Sequence, residues 1–509
     1  MLFLTIGLVL LLAALVYIYM TWGFNHWQKR GVPGPKPKAF TGNYPNLYTM
    51  KRHAIYDIQD IYRDYKQDYD AVGIFGGRAP QLLILSPQLA RRVFVTDFKH
   101  FHDNEISKMV DEESDFIFAN NPFSLVGEVW KERRADVTPG LTMGRIKTVY
   151  PVTNKVCKQL SDFIKKQTRI EGSNGVEAKD ISLRFTSEMV TDCVLGLSAQ
   201  SFSDTPTPIM ANVKNLFDQS WQFIVYFVLL SLFPALLYIK RLRFIPKSVE
   251  HFFVDLMQNA IDTRRKQQEE GGKHFQRVDF LDYIIQLANK RQLNTRQLTA
   301  HTMTFLLDGF ETTAGILAHL LLFLGRDERV QQKLREEVTA HLESGQDVIN
   351  FDKLHELPYL DACIQETIRH FPPGHMSNKL CTEPLEIPNK NGPNFVIEKG
   401  TTIIVPHYCY MHDEEHFSNP AAFEPERFME TDAVKIYRER GVFMAFGDGP
   451  RVCIGMRFAM AQIKAAVVEV ITHFNITANA KTRKDNLLDR LFFLARLDGG
   501  IWLNFEERK

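Results

Sequence analysis

The sequence has almost no excess of charge of either sign. Its 509 residues include 61 Lys and Arg against 60 Asp and Glu, a formal net charge of +1. Proteins that bind nucleic acid non-specifically carry a clear excess of positive charge, because the phosphate backbone dominates that affinity. We therefore expect no general attraction to nucleic acid. Internal repeats and low-complexity segments are also absent from the sequence, which argues against a solenoid or a disordered chain.

Cysteine is scarce and its spacing is irregular. The six cysteines are Cys157, Cys193, Cys363, Cys381, Cys409 and Cys453. No two form a C-x-x-C pair, and five of them are scattered through apolar or helical stretches. This pattern argues against a disulfide framework and is typical of a reduced, cytosolic set of thiols.

Charge is missing altogether from the first 28 residues. The segment from Leu2 to Met20 is apolar and long enough to span a bilayer as a helix. Basic residues begin at Lys29 and Arg30, so the positive-inside rule places the rest of the chain in the cytosol. A cleaved signal peptide is the alternative, but the apolar run is long, no basic residue precedes it and no small-residue cleavage site follows it.

The most specific motif is F-x-x-G-x-R-x-C-x-G, which runs from Phe446 to Gly455 with all five fixed positions present. It is expected by chance in roughly one or two chains per ten thousand of this length. Gly449 and Gly455 allow a tight turn, so the motif predicts a loop that holds Cys453 beside Arg451. Such a loop can present a thiolate to a metal.

A haem iron with an axial cysteine thiolate is pushed electronically toward cleavage of the O–O bond. The thiolate needs backbone N–H donors and positive charge close to the sulfur. Cys453 is therefore predicted to bind the iron of haem b, Arg451 to pair with a haem propionate, and Phe446 to shield the sulfur from water. The loop resembles the haem-binding signature of the cytochrome P450 monooxygenases.

Three further motifs agree with this family in type and in order. Glu366 and Arg369 form E-x-x-R, and Arg427 lies in P-E-R-F. The resemblance implies that these three residues form a cluster that fixes the segment leading to the cysteine loop. Trp130 and Arg134 match W-x-x-x-R, and their spacing places both on one face of a helix, where both can donate to a haem propionate.

The distal side of the site is predicted around residues 307–313, which match A/G-G-x-D/E-T-T/S in a long helix over the haem. Gly309 suits a groove in which O2 must fit. The resemblance assigns proton delivery during oxygen activation to Glu311 and Thr312, an acid–alcohol pair. This pair favours oxygen activation over a rearrangement without O2.

Two positions depart from the family pattern. Asp308 stands where most members have Ala or Gly, on the same helix face as Thr312. Our hypothesis is that Asp308 contacts the haem or the distal water network. The fatty-acid ω-hydroxylase branch has a Glu at this position that can form an ester with a haem methyl, but Asp is one methylene shorter, so a covalent link is less favoured. Lys379 replaces an Arg that contacts a propionate in many members, and it keeps the charge without the fork geometry.

The resemblance covers essentially the whole chain and implies a mainly α fold with small β-sheets. We predict an N-terminal transmembrane anchor (1–28), a basic, proline-rich linker (29–40) and one large haem-thiolate monooxygenase domain (41–509). Local patterns predict hairpins over 71–84, over 395–408 and near 498–500, helices over most of 88–345, and a helix from Cys453 to about Phe474.

A second uncharged apolar stretch, Trp221 to Ile239, precedes several basic residues. A transmembrane helix here would divide the predicted haem site between two sides of the membrane. We interpret the stretch as a membrane-dipping lid through which apolar substrates enter, with a buried core helix as the alternative.

The resemblance implies an enzyme of the endoplasmic reticulum membrane, similar to insect-type microsomal members that metabolise xenobiotics or hormones. It implies insertion of one oxygen atom from O2 into a lipophilic small molecule, a xenobiotic, a steroid or a fatty-acid-like compound. The electrons would come from NADPH through a flavoprotein reductase, with cytochrome b5 as a further donor. Two alternatives stay open: a non-oxygenating isomerase or dehydratase, and a haem-based ligand-binding protein without turnover. The basic residues expected to face the reductase are Lys131, Arg133, Lys435, Arg438, Arg440 and Arg457.

Overall fold

The structure is a computed structural model that describes residues 1–205, 207–217, 221–239, 241, 243–271, 279–342 and 349–508. Helices predominate, and the sheets are small, as predicted. The helices are α1 Leu2–Thr21, α2 Pro45–Thr49, α3 Ile55–Tyr65, α4 Pro87–Arg91, α5 Phe116–Ala119, α6 Gly127–Val137, α7 Met143–Glu171, α8 Ala178–Leu195, α9 Pro208–Phe217, α10 Trp221–Leu232, α11 Leu236–Ile239, α12 Lys247–Gly271, α13 Phe280–Arg291, α14 Thr295–Arg326, α15 Glu328–His341, α16 Pro358–His370, α17 His407–Met411, α18 Ala433–Glu439 and α19 Met456–His473.

The strands form three sheets among the described residues. They are β1 Ala71–Gly76, β2 Ala79–Ile84, β3 Asp103–Asn104, β4 Val176–Glu177, β5 Ser377–Leu380, β6 Leu385–Asn389, β7 Gly392–Ile397, β8 Thr402–Val405, β9 Phe474–Ala478 and β10 Trp502–Glu507. The sheet orders are β1-β2-β8-β5-β3, β4-β10-β9 and β6-β7. The predicted hairpin over 71–84 is confirmed, since β1 and β2 pair antiparallel around Gly76 and Gly77.

The other two predicted hairpins are wrong. Strands do lie on both sides of residues 398–400, but β7 pairs with β6, whereas β8 joins β2 and β5 in another sheet. Near 498–500 the chain turns through two glycines of positive φ into β10, which pairs with β9 and β4. Alternating polarity identifies a strand but not its partner, so both errors concern pairing.

The centre of the molecule is α14. Asn294 and Gln297 form a capping box at its N-terminus, which satisfies otherwise unpaired backbone N–H groups. Most of its 32 residues are buried, and its most extensive neighbour is α8. A Cβ at Gly309 would lie 3.3 Å from Val190 of α8, so the glycine allows close helix packing. The O2 groove predicted at Gly309 stays a prediction.

The segment that follows α1 is attached to the rest of the fold by hydrogen bonds. Helix α1 is long and apolar enough to span a membrane, and none of its most apolar stretch is buried. The buried Trp27 donates from Nε1 to the carbonyl of Ile74 at 3.0 Å, and Gly73 donates to the carbonyl of Pro33 at 2.8 Å. The linker thus packs along β1, and α1 leaves the domain at a defined place. The long α14 also passes the same length and composition test, but it is mostly buried and belongs to the core.

The apolar stretch at Trp221–Ile239 is not a buried core helix. Helix α10 has 12 residues and ends before Pro234, so it spans about 18 Å and is too short to cross a bilayer. Val225, Leu229 and Ile239 are exposed. Phe233 stacks on Tyr19 at the end of α1, with ring centroids 5.7 Å apart. The two apolar segments therefore lie on the same side of the molecule.

Candidate active site

The cysteine loop is closed by its own backbone. The N–H of Cys453 donates to the carbonyl of Phe446 at 2.8 Å. Gly447 and Gly449 have φ of +71° and +62°, a region that residues with a Cβ rarely adopt. Gly455 has an ordinary φ of −83°, so the prediction that it permits the tight turn is wrong. A Cβ at Gly455 would lie 3.9 Å from the Cys453 sulfur.

The Cys453 sulfur lies at the beginning of α19 and is the exposed one of the six free thiols. Its position deep in the protein raises the pKa of the thiol, whereas N–H donors of Gly455 and Met456 and the positive charge of Arg134 lower it. The partial positive charge of a helix N-terminus favours a thiolate in the same way. The loop thus supplies the donors that an axial thiolate needs.

A buried ion-pair network holds the segment that leads to this loop. Glu366 and Arg369 on α16 are fully buried, with Arg369 Nε 2.7 Å from the carboxylate, and Arg427 Nε lies 3.4 Å from it. Burial alone would raise the pKa of Glu366, but hydrogen bonds from Arg369 and His370 outweigh it and hold the pKa at about 2. The predicted cluster is present. Arg369 also donates to the carbonyls of Met411, Pro420 and Ala422.

The basic residues predicted to hold propionates lie beside the cysteine loop. Arg134 Nη2 donates to the carbonyl of Val452 at 2.6 Å, which joins α6 to the loop. The Arg451 guanidinium stacks over the ring of the buried Trp130, 4.2 Å from the ring centroid. Arg451 also donates to the carbonyls of Pro122 and Leu125 at 2.9 and 2.8 Å. These contacts bring the predicted group together.

Lys379 lies in β5, where it pairs with Asn104 of β3 and donates to its side-chain oxygen at 3.0 Å. The side chain is almost fully buried. Burial and, to a smaller extent, the positive charge of Arg451 lower the pKa of Lys379 to about 7, and Asp103 only partly opposes this shift. A carboxylate such as a propionate would supply the negative charge that this buried ammonium lacks.

On the distal side, the acid–alcohol pair has partners on two helices. The Glu311 carboxylate lies 2.7 Å from Nζ of Lys179 on α8. Lys179 also donates to the backbone carbonyl of Glu311 at 3.2 Å. The Thr312 hydroxyl donates to the carbonyl of Asp308 at 2.5 Å, within α14 itself. The pair is therefore held at a fixed position by one cation and one helix carbonyl.

The Asp308 side chain is accessible, although most residues of α14 are buried. Burial raises the pKa of its carboxyl to about 7, and a hydrogen bond from the Asn121 side chain opposes this shift. The Asp308 charge in turn raises the pKa of Cys453. Asp308 on α14 and Cys453 in the cysteine loop are therefore near enough to interact electrostatically.

A narrow cleft of about 10 Å³ touches Glu311 and Thr312, with Lys179 and Arg496 also in its wall. This volume is close to the minimum for one water molecule. A larger cleft of about 480 Å³ lies between the end of α7 and the strands β4, β9 and β10. Its wall has no titratable side chain, so it does not suit the catalysis that the motifs predict.

The donor set fits an iron porphyrin. One thiol with two backbone N–H donors faces an interior space, and Arg134, Arg451 and Lys379 lie near it as partners for two carboxylates. The described residues contain no cluster of three or more His, Cys, Asp or Glu that could hold a metal ion without such a cofactor. Sequence reasoning missed Lys179 and Asn121, because each lies more than 100 residues from its partner and belongs to no motif.

This fold, with a cysteine loop below α14, defines the class of haem-thiolate proteins. A sequence model of the cytochrome P450 family matches residues 32–501. The chain therefore belongs to the cytochrome P450 family, whose members are haem-thiolate monooxygenases.

Insect proteins match this chain over nearly their whole length. The chain is 64% identical over 507 residues to probable cytochrome P450 28a5 of Drosophila melanogaster, with 100% of both chains covered. It is 47% identical to probable cytochrome P450 28d1 of the same fly, over 97% of each chain. With cytochrome P450 9e2 of Blattella germanica the identity is 28%, over 97% of this chain and 96% of that protein.

Proposed function

We propose that this protein is a membrane-anchored monooxygenase that inserts one oxygen atom from O2 into a lipophilic small molecule, with electrons from NADPH delivered by a flavoprotein reductase. The observation that carries the proposal is the proximity of the cysteine loop to α14. The Cys453 sulfur with its N–H donors is near enough to Asp308 to be affected by its charge, and the same helix carries Glu311 and Thr312.

In this proposal Cys453 is the axial ligand of haem b. The bound haem supplies the oxygen-activating chemistry, which the thiolate promotes electronically. Trp130, Arg134, Arg451 and Lys379 hold the haem carboxylates, and the Phe446 segment covers the sulfur from the solvent side.

Glu311 and Thr312 deliver protons in this proposal. The carboxylate is fixed by Lys179 at 2.7 Å, and the Thr312 hydroxyl lies beside it on α14. The adjoining cleft has room for about one water molecule, which can carry protons between the two groups. Such an arrangement favours oxygen activation over the non-oxygenating isomerase or dehydratase that the sequence left open.

We further propose that α1 anchors the protein in the endoplasmic reticulum membrane, with residues 41–509 as a cytosolic catalytic domain. The exposed apolar residues of α10 and α11 lie beside the end of α1, where Tyr19 stacks on Phe233. This continuous apolar surface supports a membrane-dipping lid, through which a lipophilic substrate reaches the site from the bilayer.

The basic surface proposed to receive the reductase, with cytochrome b5 as a further donor, is smaller than the sequence indicates. Lys131, Lys435, Arg440 and Arg457 are exposed. Arg133 instead donates to the carbonyl of Asn120 at 2.6 Å, and Arg438 pairs with Asp448 at 2.7 Å. The four exposed residues are therefore the candidates for steering an acidic partner.

The proposal is tested by turnover of the full-length protein in membranes with an NADPH-dependent flavoprotein reductase and a panel of lipophilic substrates under 18O2. We expect NADPH- and O2-dependent product that carries one 18O atom. Product formed without O2 would support the isomerase or dehydratase instead. Spectral binding of substrates without any product would support a ligand-binding protein.

A further inference from the structure

Asp308 is the unusual carboxylate of this molecule. Several other buried acids have a cation close by: Lys179 lies 2.7 Å from Glu311, Arg369 lies 2.7 Å from Glu366, and Lys66 lies 2.6 Å from Asp413. Two buried acids without an ion pair accept several hydrogen bonds instead, Asp115 from three backbone N–H groups and Glu188 from the Ser198 hydroxyl and the Ser201 N–H. Within the part of the chain that the structure describes, Asp308 has no ion-pair partner within 4.0 Å. Proteins seldom leave a buried carboxylate without a cation, because desolvation of its charge is costly.

The partner that Asp308 does have is a neutral amide. The carbonyl oxygen of Asn121 accepts a hydrogen bond from the backbone N–H of Phe123 at 2.8 Å, so its NH2 group is free to donate to Asp308. Asn121 is only 2% exposed. A carboxylate has about four acceptor sites, and one amide satisfies few of them.

The position of Asp308 is as informative as its lack of a cation. It lies on the face of α14 that carries Thr312, one helical turn away. Its side chain is accessible, unlike most residues of α14, and its charge acts on the Cys453 thiol. A carboxylate at this place is positioned to contact a bound substrate rather than bulk solvent.

We propose that Asp308 selects substrates that carry a cationic group, such as a lipophilic amine or quaternary ammonium, and that it binds this cation directly. The proposal rests on the proposed function and adds the substrate class to it. A cation that enters an apolar cavity loses its hydration, so a fixed carboxylate in that cavity discriminates strongly between charged and neutral ligands of equal shape.

The test compares two molecules of nearly equal shape in the haem-loaded, full-length protein. The probes are 3-phenylpropyl-trimethylammonium, which is permanently charged and cannot ligate iron, and its neutral isostere (4,4-dimethylpentyl)benzene. Affinities come from the haem Soret shift and from calorimetry. We expect the cation to bind about tenfold or more tightly than the isostere.

The variants assign that preference to one side chain. Asp308→Asn should abolish the preference while leaving the affinity for the neutral isostere within about twofold, and Asp308→Glu should retain it. Asp352→Asn, which removes an exposed acid on another face, should change neither affinity and serves as the control for net charge.

Equal binding of the two probes by the wild-type protein would overturn the proposal without any variant, and so would failure of the cation to bind. A cation preference that persists in Asp308→Asn would also overturn it and would leave Asp308 as a support for Asn121. The carbon monoxide spectrum of the same sample reports separately on the haem and on Cys453. A normal spectrum with no cation preference would refute this inference alone, whereas an abnormal one would refute the proposed function.

Discussion

The two sides of the candidate site are held by different kinds of contact. On the cysteine side, backbone hydrogen bonds within the loop and the buried Glu366–Arg369 pair fix the geometry, and all of these residues lie in recognisable motifs. On the α14 side, the charged groups take their environment from residues outside the motifs, Lys179 for Glu311 and Asn121 for Asp308. The difference shows that the sequence motifs specify the geometry that holds the haem. The electrostatic environment of the acids on α14 depends instead on contacts between distant segments of the fold.

The largest effect is expected from breaking the buried network below the haem. Arg369→Leu leaves Glu366 buried without its main partner, and loss of one member of a buried pair costs about 3–5 kcal/mol. We expect a large fall in the denaturation midpoint of the detergent-solubilised protein and poor haem incorporation. The matched control is Lys147→Gln, which breaks an exposed pair with Asp352 and should cost less than about 1 kcal/mol. Similar losses in the two variants would contradict the assigned role of the network.

A smaller effect is expected in the cysteine loop itself. Gly449→Ala adds a Cβ that would lie 2.0 Å from the carbonyl of Phe94, at a φ of +62°. The backbone must shift and the strained φ adds about 1–2 kcal/mol, so haem content and the thiolate spectrum should both decline. Gly144→Ala in α7 meets nothing within 4 Å and should be neutral or stabilising by up to about 1 kcal/mol. A Gly449→Ala protein with a normal spectrum and stability would show that the loop tolerates this clash.

On the other side of the site, Lys179→Gln removes the cation from Glu311 without touching haem or substrate. We expect product formation per NADPH consumed to fall about tenfold or more, because the acid is no longer held in place, with substrate affinity little changed. Lys179→Arg should restore most of the coupling, which a merely structural role in α8 would not require. The control is Lys353→Gln, which removes an exposed pair with Glu356. Unchanged coupling in Lys179→Gln would refute a role for the ion pair.

The smallest effect concerns the pH dependence of stability and the buried histidines of α14. Burial lowers the pKa of His319 on α14 to about 3 and of His301 to about 4, below the ordinary 6.5. Both histidines are neutral in the folded protein, so their contribution to its stability is complete above pH 6.5. This contribution is lost as the pH falls below 6.5, by about 1 kcal/mol per group near pH 5.5. Glu366, with its pKa at about 2, loses its contribution only below about pH 4.5.

We therefore expect the denaturation midpoint to fall as the pH is lowered from 7.5 to 5.5. His319→Gln should reduce that fall by the share of one group, about 1 kcal/mol near pH 5.5, because other buried histidines such as His407 also have a lowered pKa. The same pH dependence in the variant and in the wild-type protein would contradict the assignment of this share of the acid sensitivity to His319.

Much of this structure could be predicted from the sequence, and the errors have physical reasons. The Cys453 loop, the Glu366 cluster and the long α14 follow from local spacing, which fixes local geometry. The partners of β8 and β10 could not be predicted, because alternation of polarity does not specify which strand pairs with which. The close packing of Gly309 against Val190 of α8 could not be predicted either, because it joins distant segments. Lys179 and Asn121 gave no local signal, since their roles depend on contacts between distant segments.

The most direct test of the central claim is a carbon monoxide difference spectrum of the dithionite-reduced full-length protein in membranes, with Cys453→Ser as the control. The thiolate assignment predicts a Soret band shifted well to the red of ordinary haem proteins in the wild-type protein and no such band in the variant. A spectrum like that of an imidazole-ligated globin, or no haem at all in the wild-type protein, would contradict the assignment of Cys453 as the ligand, and the proposed monooxygenase function would be lost with it.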